Sequence, residues 1–156
     1  MRVSLCVVGR LRAGPERELL DDYLTRFDRT GRALGLGPAR VIEVEDKKGG
    51  GMAAEGKLLR AALPKGALLV TLDERGKLLT SPEFSRKLGD WRDGGRQDVA
   101  FVIGGADGIA PDLRTDADFS LSFGKMVWPH MLVRVMLAEQ LYRAASIQAN
   151  SPYHRA

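Results

Sequence analysis

The sequence predicts an α/β domain in which a mainly parallel sheet carries helices on both faces. Short apolar runs alternate along the chain with segments whose apolar residues recur at helical spacing, an alternation typical of βα units. The chain has 156 residues and no internal repeat, so we expect a single domain spanning residues 1–156. Apolar residues make up 44% and charged residues 28%, which suits a globular protein with a sizeable core.

Five apolar runs are predicted to be strands, and five segments between or after them are predicted to be helices. The strands are Val3–Val8, Arg40–Glu45, Ala67–Leu72, Val99–Ile103 and Phe119–Phe123. The helices are Pro15–Arg29, Met52–Leu63, Ser81–Arg92, a short helix from Pro111, and a long helix from about His130 to Gln148.

Two of these helices have features that predict more than their position. Ser81 is the predicted N-cap of the third helix, with Pro82 in the first helical position, and Gly94-Gly95 ends it. The long segment Met131–Gln148 has apolar residues on several faces, which predicts a helix buried from two sides. In a domain this small, we expect one of those sides to be covered by a second subunit of a homodimer.

The composition excludes some function classes and leaves others open. A net charge of +4 is compatible with a nucleic-acid partner, although a solvated surface is the simpler explanation of the charge alone. Cys6 is the only cysteine, which excludes an intramolecular disulfide and a cysteine-based metal site, and its apolar neighbours indicate burial. The run Val3–Val8 is too short for a signal peptide or a membrane span, so we expect a cytoplasmic protein without a membrane partner.

A glycine-containing loop follows the fourth predicted strand. Gly104, Gly105 and Gly108 come directly after it, at the edge where α/β sheets bind ligands, and a side chain at Gly104 is expected to project toward such a ligand. The spacing is neither G-x-G-x-x-G nor a P-loop. A tight strand-to-helix turn without a ligand explains the glycines equally well.

The segment Phe123–Trp128 separates the fifth predicted strand from the last helix. It is apolar except for Lys125, and Pro129 suits the first turn of the helix that follows. Such a segment predicts the wall of a pocket for a ring such as adenine. The alternative is a buried connector, since Met126 and Trp128 are residue types found more often in a core.

The last part of the chain is more basic than the rest and ends in an aromatic tail. Between residues 125 and 155 the only acid is Glu139. The basic residues there are Lys125, Arg134, Arg143 and Arg155, with His130 and His154. Tyr153-His154-Arg155 suits RNA, because a ring stacks on a base and a guanidinium pairs with phosphate, while a frayed chain end is the alternative. The i, i+4 spacing of Glu139 and Arg143 is that of an ordinary helix salt bridge.

Together, these motifs resemble the SPOUT methyltransferases, and specifically the ribosomal RNA large subunit methyltransferase H family of bacteria. The resemblance covers essentially the whole chain. Its motifs are Val70–Asp73 with Gly76-Lys77, Phe101–Gly108, and, most specifically, Pro129–Val135, Glu139–Ala144 and Tyr153–Arg155.

The resemblance implies properties that the periodicity does not predict. The implied fold is an α/β knot, in which the C-terminal helix threads through a loop, and the implied assembly is a homodimer packed around that knot. The implied cofactor is S-adenosylmethionine in a bent shape. The implied reaction is methylation of N3 of a pseudouridine in 23S ribosomal RNA, with the assembled ribosome as substrate. No metal is expected, because a sulfonium methyl needs no metal to activate it.

Carried over by position, the resemblance implies three groups of site residues. Those at the cofactor are Leu72, Gly104, Phe123, Gly124, Lys125, Met126, Val127 and Trp128. Those facing the RNA are His130, Arg134 and Arg143, and the catalytic residues are Tyr153, His154 and Arg155. Ser151-Pro152 is expected to end the last helix and direct the tail away from it, so that in a dimer the tail reaches the partner's cofactor pocket.

Two other functions are weighed against this one. The first is a SPOUT methyltransferase that acts on another RNA, such as transfer RNA, against which the motif Tyr153-His154-Arg155 argues. The second is a nucleotide-binding or RNA-binding α/β module without catalysis. Calorimetry with S-adenosylmethionine separates an enzyme from such a module, and methylation assays separate the two RNA substrates.

Overall fold

The computed structural model describes residues 1–155 and contains one five-stranded sheet in the order β2-β1-β4-β3-β5. The strands are β1 (Arg2–Val8), β2 (Ala39–Val44), β3 (Leu68–Leu78), β4 (Asp98–Ile103) and β5 (Phe119–Ser122). Every neighbouring pair is parallel, so all carboxyl ends of the strands lie at one edge. The predicted parallel sheet is therefore confirmed.

Helices cover both faces of the sheet, as predicted. They are α1 (Pro15–Gly31), α2 (Gly51–Ala62), α3 (Ser81–Asp93), α4 (Pro111–Asp116) and α5 (His130–Gln148), with a 3₁₀ turn at Arg32–Leu34. On one face, α1, α3 and α5 bury strand residues such as Leu5 and Phe101. On the other, α2 and α4 bury Cys6 and Val102. The run Val3–Val8 is apolar apart from Ser4 because successive side chains enter two different cores.

Two local predictions needed correction. The N-cap of α3 is Thr80 and not Ser81: the Thr80 hydroxyl accepts from the Glu83 amide at 3.2 Å, and the Glu83 carboxylate accepts from the Thr80 amide at 3.1 Å. Strand β3 continues to Leu78 instead of ending at Leu72, because its pairing with β5 resumes after an irregularity between Leu72 and Lys77.

The long helix α5 is covered mainly by its own chain. Its buried apolar residues Leu137, Leu141 and Ala144 belong to the core that α1 and α3 share with the sheet. Leu132, at 37%, is the most exposed large apolar side chain among the described residues of this helix. The two-sided burial of α5 is thus confirmed, but α1 and α3 provide most of the cover that was expected from a partner subunit.

Cys6 is fully buried in β1, and burial raises the pKa of its thiol to about 11. This agrees with the predicted role as a small core residue, since a thiol with so high a pKa is a poor nucleophile. No helix within residues 1–155 has the length and apolar character needed to cross a membrane.

Candidate active site

A cavity of about 720 Å³ lies at the carboxyl edge of the sheet, where the two predicted loops meet. Its lining includes Leu72 at the end of the regular part of β3, the loop from Gly104 to Gly108 after β4, and Phe123 and Gly124 after β5. Another part of the wall comes from Met126 to His130. The structure therefore brings together all the predicted cofactor residues except Lys125, which is exposed and does not line this cavity.

The glycine loop is a tight turn that itself requires glycine. The Gly108 amide donates to the Gly105 carbonyl at 3.0 Å, which closes the turn. A Cβ at Gly104 would collide with the Gly108 carbonyl group, coming within 2.5 Å of its carbon and 3.0 Å of the Ile109 nitrogen. The expectation that this Cβ would project toward a ligand was wrong, because it would meet the backbone of the turn. The loop is both the tight turn and a cavity wall.

The segment between β5 and α5 is exposed and apolar. Met126, Val127 and Trp128 are 73%, 82% and 39% exposed and line the cavity, so they are not the buried connector that was the alternative. Gly124 has φ +117°, a conformation that favours glycine, and its amide donates to the Ser122 hydroxyl at 3.0 Å. Consecutive exposed apolar side chains at a cavity mouth suit a flat ring or a second protein surface.

Arg134 lies inside the protein, so its predicted position facing RNA was wrong. Its side chain is fully buried, and its guanidinium donates to the carbonyls of Val8 at 2.6 Å and Gly9 at 2.7 Å. It also donates to the Glu43 carboxylate at 3.1 Å. A buried cation needs such partners, and here the ends of β1 and β2 provide them.

His130 lies beside this buried cation and lines the cavity. Its Nδ1 atom is buried and has no hydrogen-bond partner among the described residues. Burial first, and then the positive charge of Arg134, lower the pKa of the His130 imidazole. The ring is therefore biased toward its neutral form, and one of its nitrogens is buried without a hydrogen-bond partner among the described residues.

The predicted site residues do not include the charged side chains on the β3 side of the cavity. The Asp73 carboxylate accepts from the Arg75 amide at 2.8 Å and lies within 4.0 Å of the Arg114 guanidinium, and all three residues line the cavity. Arg114 Nε is buried without a hydrogen-bond partner among the described residues. The position of Asp73 directly after the predicted strand ending at Leu72 was a usable signal, because ligands bind at the carboxyl ends of parallel strands.

The tail folds back onto α5, which corrects the prediction that it is directed away. Asn150, at φ +55°, ends the helix, and the Ser151 amide reaches back to the Ser146 carbonyl at 2.9 Å. The chain reversal brings the Tyr153 hydroxyl to the Glu139 carboxylate, to which it donates at 2.8 Å.

Arg143 completes this tail cluster, which consists of Glu139, Tyr142, Arg143, Tyr153 and His154. The Arg143 guanidinium bonds Glu139, lies 4.7 Å from the Tyr153 ring centre, and contacts His154 Nδ1 at 3.2 Å. The rings of Tyr142 and Tyr153 are 4.5 Å apart. The Glu139–Arg143 helix salt bridge is confirmed. Arg155 is exposed at the end of the described chain.

The chain belongs to the SPOUT methyltransferase family. The model of the family described as "Predicted SPOUT methyltransferase" matches residues 1–154. The chain is 75% identical over 155 residues to the Ribosomal RNA large subunit methyltransferase H of Ruegeria sp. (strain TM1040), and 76% identical over 155 residues to the protein of the same name from Ruegeria pomeroyi. Each comparison covers 99% of this chain and 99% of the relative.

Among solved structures, a probable methylase family protein from Haemophilus influenzae Rd KW20 is similar with a TM-score of 0.51. The alignment covers 99% of this chain and 70% of the other, at 11% identity, and therefore indicates the shared fold alone. The family assignment confirms the prediction of an S-adenosylmethionine-dependent methyltransferase. The threading of α5 through a loop stays a prediction.

The cavity suits S-adenosylmethionine in size and chemistry. The exposed apolar side chains of Met126, Val127 and Trp128 would hold the adenine ring, and the glycine loop offers backbone donors and acceptors without side chains in the way. The Asp73 carboxylate would accept from ribose hydroxyls or an ammonium group.

Proposed function

We propose that this protein transfers the methyl group of S-adenosylmethionine to N3 of a pseudouridine in 23S ribosomal RNA, in the cytoplasm and on the assembled ribosome. The observation that carries the proposal is the full-length identity of 75% to a ribosomal RNA large subunit methyltransferase H. The cavity at the carboxyl edge of the sheet, with its apolar wall and glycine loop, supports the cofactor half of the reaction.

The reaction sets clear demands on the protein. When bound, S-adenosylmethionine supplies an electrophilic methyl group on a sulfonium sulfur. The N3–H proton of the base has to leave, the N3–carbon bond forms, and the sulfur–carbon bond breaks. The chain must therefore hold N3 in line with the methyl group, accept the proton, and stabilise the negative charge on the ring. Histidine and arginine in the tail are the residue types that these tasks require.

The observed tail contacts limit when His154 can act. Arginine has donors only, so the contact of Arg143 with His154 Nδ1 uses the nitrogen that would accept a proton. The other ring nitrogen of a neutral histidine carries the hydrogen. His154 becomes a proton acceptor only after it leaves Arg143, and we propose that RNA entry displaces it while Arg155 meets phosphate.

We propose a homodimer in which each cofactor cavity receives the tail of the partner subunit. Within one protomer, Tyr153 is tied to Glu139, which lies nine residues after His130 and hence about 14 Å farther along the axis of α5. A second apolar groove of about 560 Å³ passes Glu139 and shares the wall residues Phe123 and Gly124 with the cofactor cavity. Exposed Leu19 and Leu78 line this groove, so a second copy would cover apolar surface.

A methylation assay tests the proposed function. The protein and radiolabelled S-adenosylmethionine are incubated with one RNA substrate at a time. The substrates are assembled ribosomes, isolated large subunits, free 23S ribosomal RNA and transfer RNA, all taken from a strain lacking the gene. We expect label in ribosomes, and mass spectrometry of the digested RNA should place it on a pseudouridine at N3. Label in transfer RNA alone would favour another SPOUT substrate. No uptake of S-adenosylmethionine in calorimetry would indicate a binding module without catalysis.

A further inference from the structure

The buried Arg134 fixes the loop that follows β1, which we call the cationic loop and define as Gly9–Gly14. Its guanidinium holds the carbonyls of Val8 and Gly9, where the strand ends and the loop begins. The Gly9 amide donates to the Val44 carbonyl at 2.7 Å. The start of the loop is therefore attached both to α5 and to β2.

Glu43 extends this attachment further into the cationic loop. The same carboxylate oxygen that pairs with Arg134 accepts from the Leu11 amide at 2.6 Å, and the Leu11 side chain is buried. The Arg17 guanidinium also donates to the Leu11 carbonyl, at 3.2 Å. Residues on both sides of Arg10 are thus held in place, and a loop fixed this well presents its exposed side chains at low entropic cost.

The exposed side chains of the cationic loop are unpaired cations. Arg10 and Arg12 are exposed, and neither has a carboxylate within 4.0 Å among residues 1–155. The loop after the neighbouring strand β2 adds exposed Lys47 and Lys48, which likewise have no ion pair in the described part of the chain. Unpaired arginines on a fixed backbone suit phosphate groups, because each guanidinium can donate two parallel hydrogen bonds.

This surface adjoins the cofactor cavity. A Cβ built on Gly9 would lie 3.4 Å from Met131 and 3.7 Å from the His130 ring, and His130 lines the cavity. On the other side, a Cβ built on Gly105 would lie 3.2 Å from Val8. The cationic loop therefore starts at the rim of the cavity, where RNA flanking a target base would pass.

We infer that Arg10 and Arg12 bind the phosphodiester backbone of the RNA substrate next to the methylated base, and that Arg134 and Glu43 are positioning residues for this contact. The inference rests on the proposed function for the identity of the RNA. It assigns to Arg134 an indirect role in RNA binding, although its side chain is inside the protein. The lysines after β2 widen the same surface.

The test compares Arg10→Gln/Arg12→Gln with the matched double variant Arg29→Gln/Arg32→Gln. The control pair is also exposed, is unpaired within residues 1–155 and removes the same charge, but it lies at the other end of α1. Binding to assembled ribosomes is measured by sedimentation across a series of salt concentrations, together with methylation kinetics and calorimetry with S-adenosylmethionine.

For the cationic-loop variant we expect about tenfold weaker ribosome binding and a salt slope smaller by about 1 to 2, since two phosphate contacts are lost. The KM for ribosomes should rise by a similar factor, with kcat and cofactor affinity unchanged. The control variant should keep the parental salt slope. Equal losses in both variants would reduce the effect to net charge and overturn the inference.

Other outcomes separate this inference from the proposed function. If the cationic-loop variant binds ribosomes with the parental affinity, the inference is overturned, but the proposed reaction is not contradicted. If the parent binds ribosomes through these arginines but leaves N3 unmethylated, the RNA-binding role of the arginines is supported and the proposed reaction is contradicted. Binding to anionic phosphatidylglycerol vesicles is measured for the parent and for the cationic-loop variant. If the variant loses vesicle binding but keeps ribosome binding, the arginines bind a membrane surface and the inference is overturned.

Discussion

The two ends of α5 are built in different ways. At its start, the helix meets an exposed apolar segment, and the buried Nδ1 atom of His130 has no hydrogen-bond partner among the described residues. At its end, the tail cluster joins Glu139, Arg143 and Tyr153 through charged hydrogen bonds and ring contacts. The first end leaves binding groups without partners, whereas the second satisfies them within the chain.

This difference indicates which end of α5 binds a ligand. Unpaired polar atoms beside a cavity and exposed apolar side chains favour a ligand at the start of α5. The tail cluster is self-sufficient, and burial together with the Glu139 carboxylate raises the pKa of the Tyr153 hydroxyl, which keeps it protonated. We therefore expect Tyr153 to act as a ring and a hydrogen-bond donor and not as a base.

The largest expected effect comes from deleting Tyr153–Ala156, of which Ala156 lies outside the described residues. We expect methylation of ribosomes to fall by at least about 100-fold, because a proton acceptor and phosphate contacts are lost. Calorimetry should show parental affinity for S-adenosylmethionine, and the fold should persist because Glu139 keeps its bond to Arg143. Methylation at the parental rate would mean that the tail has no part in the reaction.

Mixing experiments sharpen the same comparison. The truncated protein has an intact cofactor cavity, and a Trp128→Asp variant, with a charge in the apolar wall, keeps an intact tail. Calorimetry first checks that the Trp128→Asp variant no longer takes up the cofactor. If the site is shared between subunits, mixing the two inactive proteins should then restore activity. Light scattering that finds only monomers at micromolar concentration would contradict the shared site.

The second prediction concerns Gly104, which lines the cavity next to the start of α5. Gly104→Val should abolish cofactor binding and also lower the free energy of unfolding by more than about 2 kcal/mol, because the new side chain meets the backbone of Gly108 and Ile109. Chemical denaturation and calorimetry measure the two effects. Loss of binding with parental stability would show that the turn can yield and that the side chain blocks the ligand directly.

The sequence predicted the fold, and which residues line the cavity at the carboxyl edge of the sheet, better than it predicted the contacts around them. Strand and helix positions follow from local apolar patterns, and for that reason the order of elements was correct. The polar end of β3, Glu74–Lys77, carries no such pattern, so its continuation to Leu78 was missed. Arg134 was misplaced for a different reason: its partners Val8 and Gly9 lie 126 and 125 residues away, and no local rule connects them.

The third prediction uses two glycines with similar backbone strain. Gly124 and Gly95 have φ +117° and +91°, and a Cβ at either position would meet nothing within 4 Å. Alanine at each should therefore cost about 1 kcal/mol of stability. Only Gly124→Ala should also weaken S-adenosylmethionine binding, because Gly124 lines the cavity and Gly95 lies before β4 at the opposite edge. Equal cofactor affinity in the two variants would remove Gly124 from the binding site.

The smallest expected effect is a pH dependence that arises from His130. Its pKa in the folded protein lies below the ordinary value of 6.5, because burial and the charge of Arg134 disfavour the imidazolium. The unfolded chain then binds more protons at acidic pH, so the contribution to stability is complete above 6.5 and is lost as the pH falls through the folded pKa. Denaturation at pH 7.5 and pH 5 should show a larger loss for the parent than for His130→Gln. The matched variant His154→Gln, at the other end of the helix, retains His130 and should keep the part of the loss that His130 produces. An identical pH dependence in the parent and His130→Gln would show that this imidazole is not held in its neutral form.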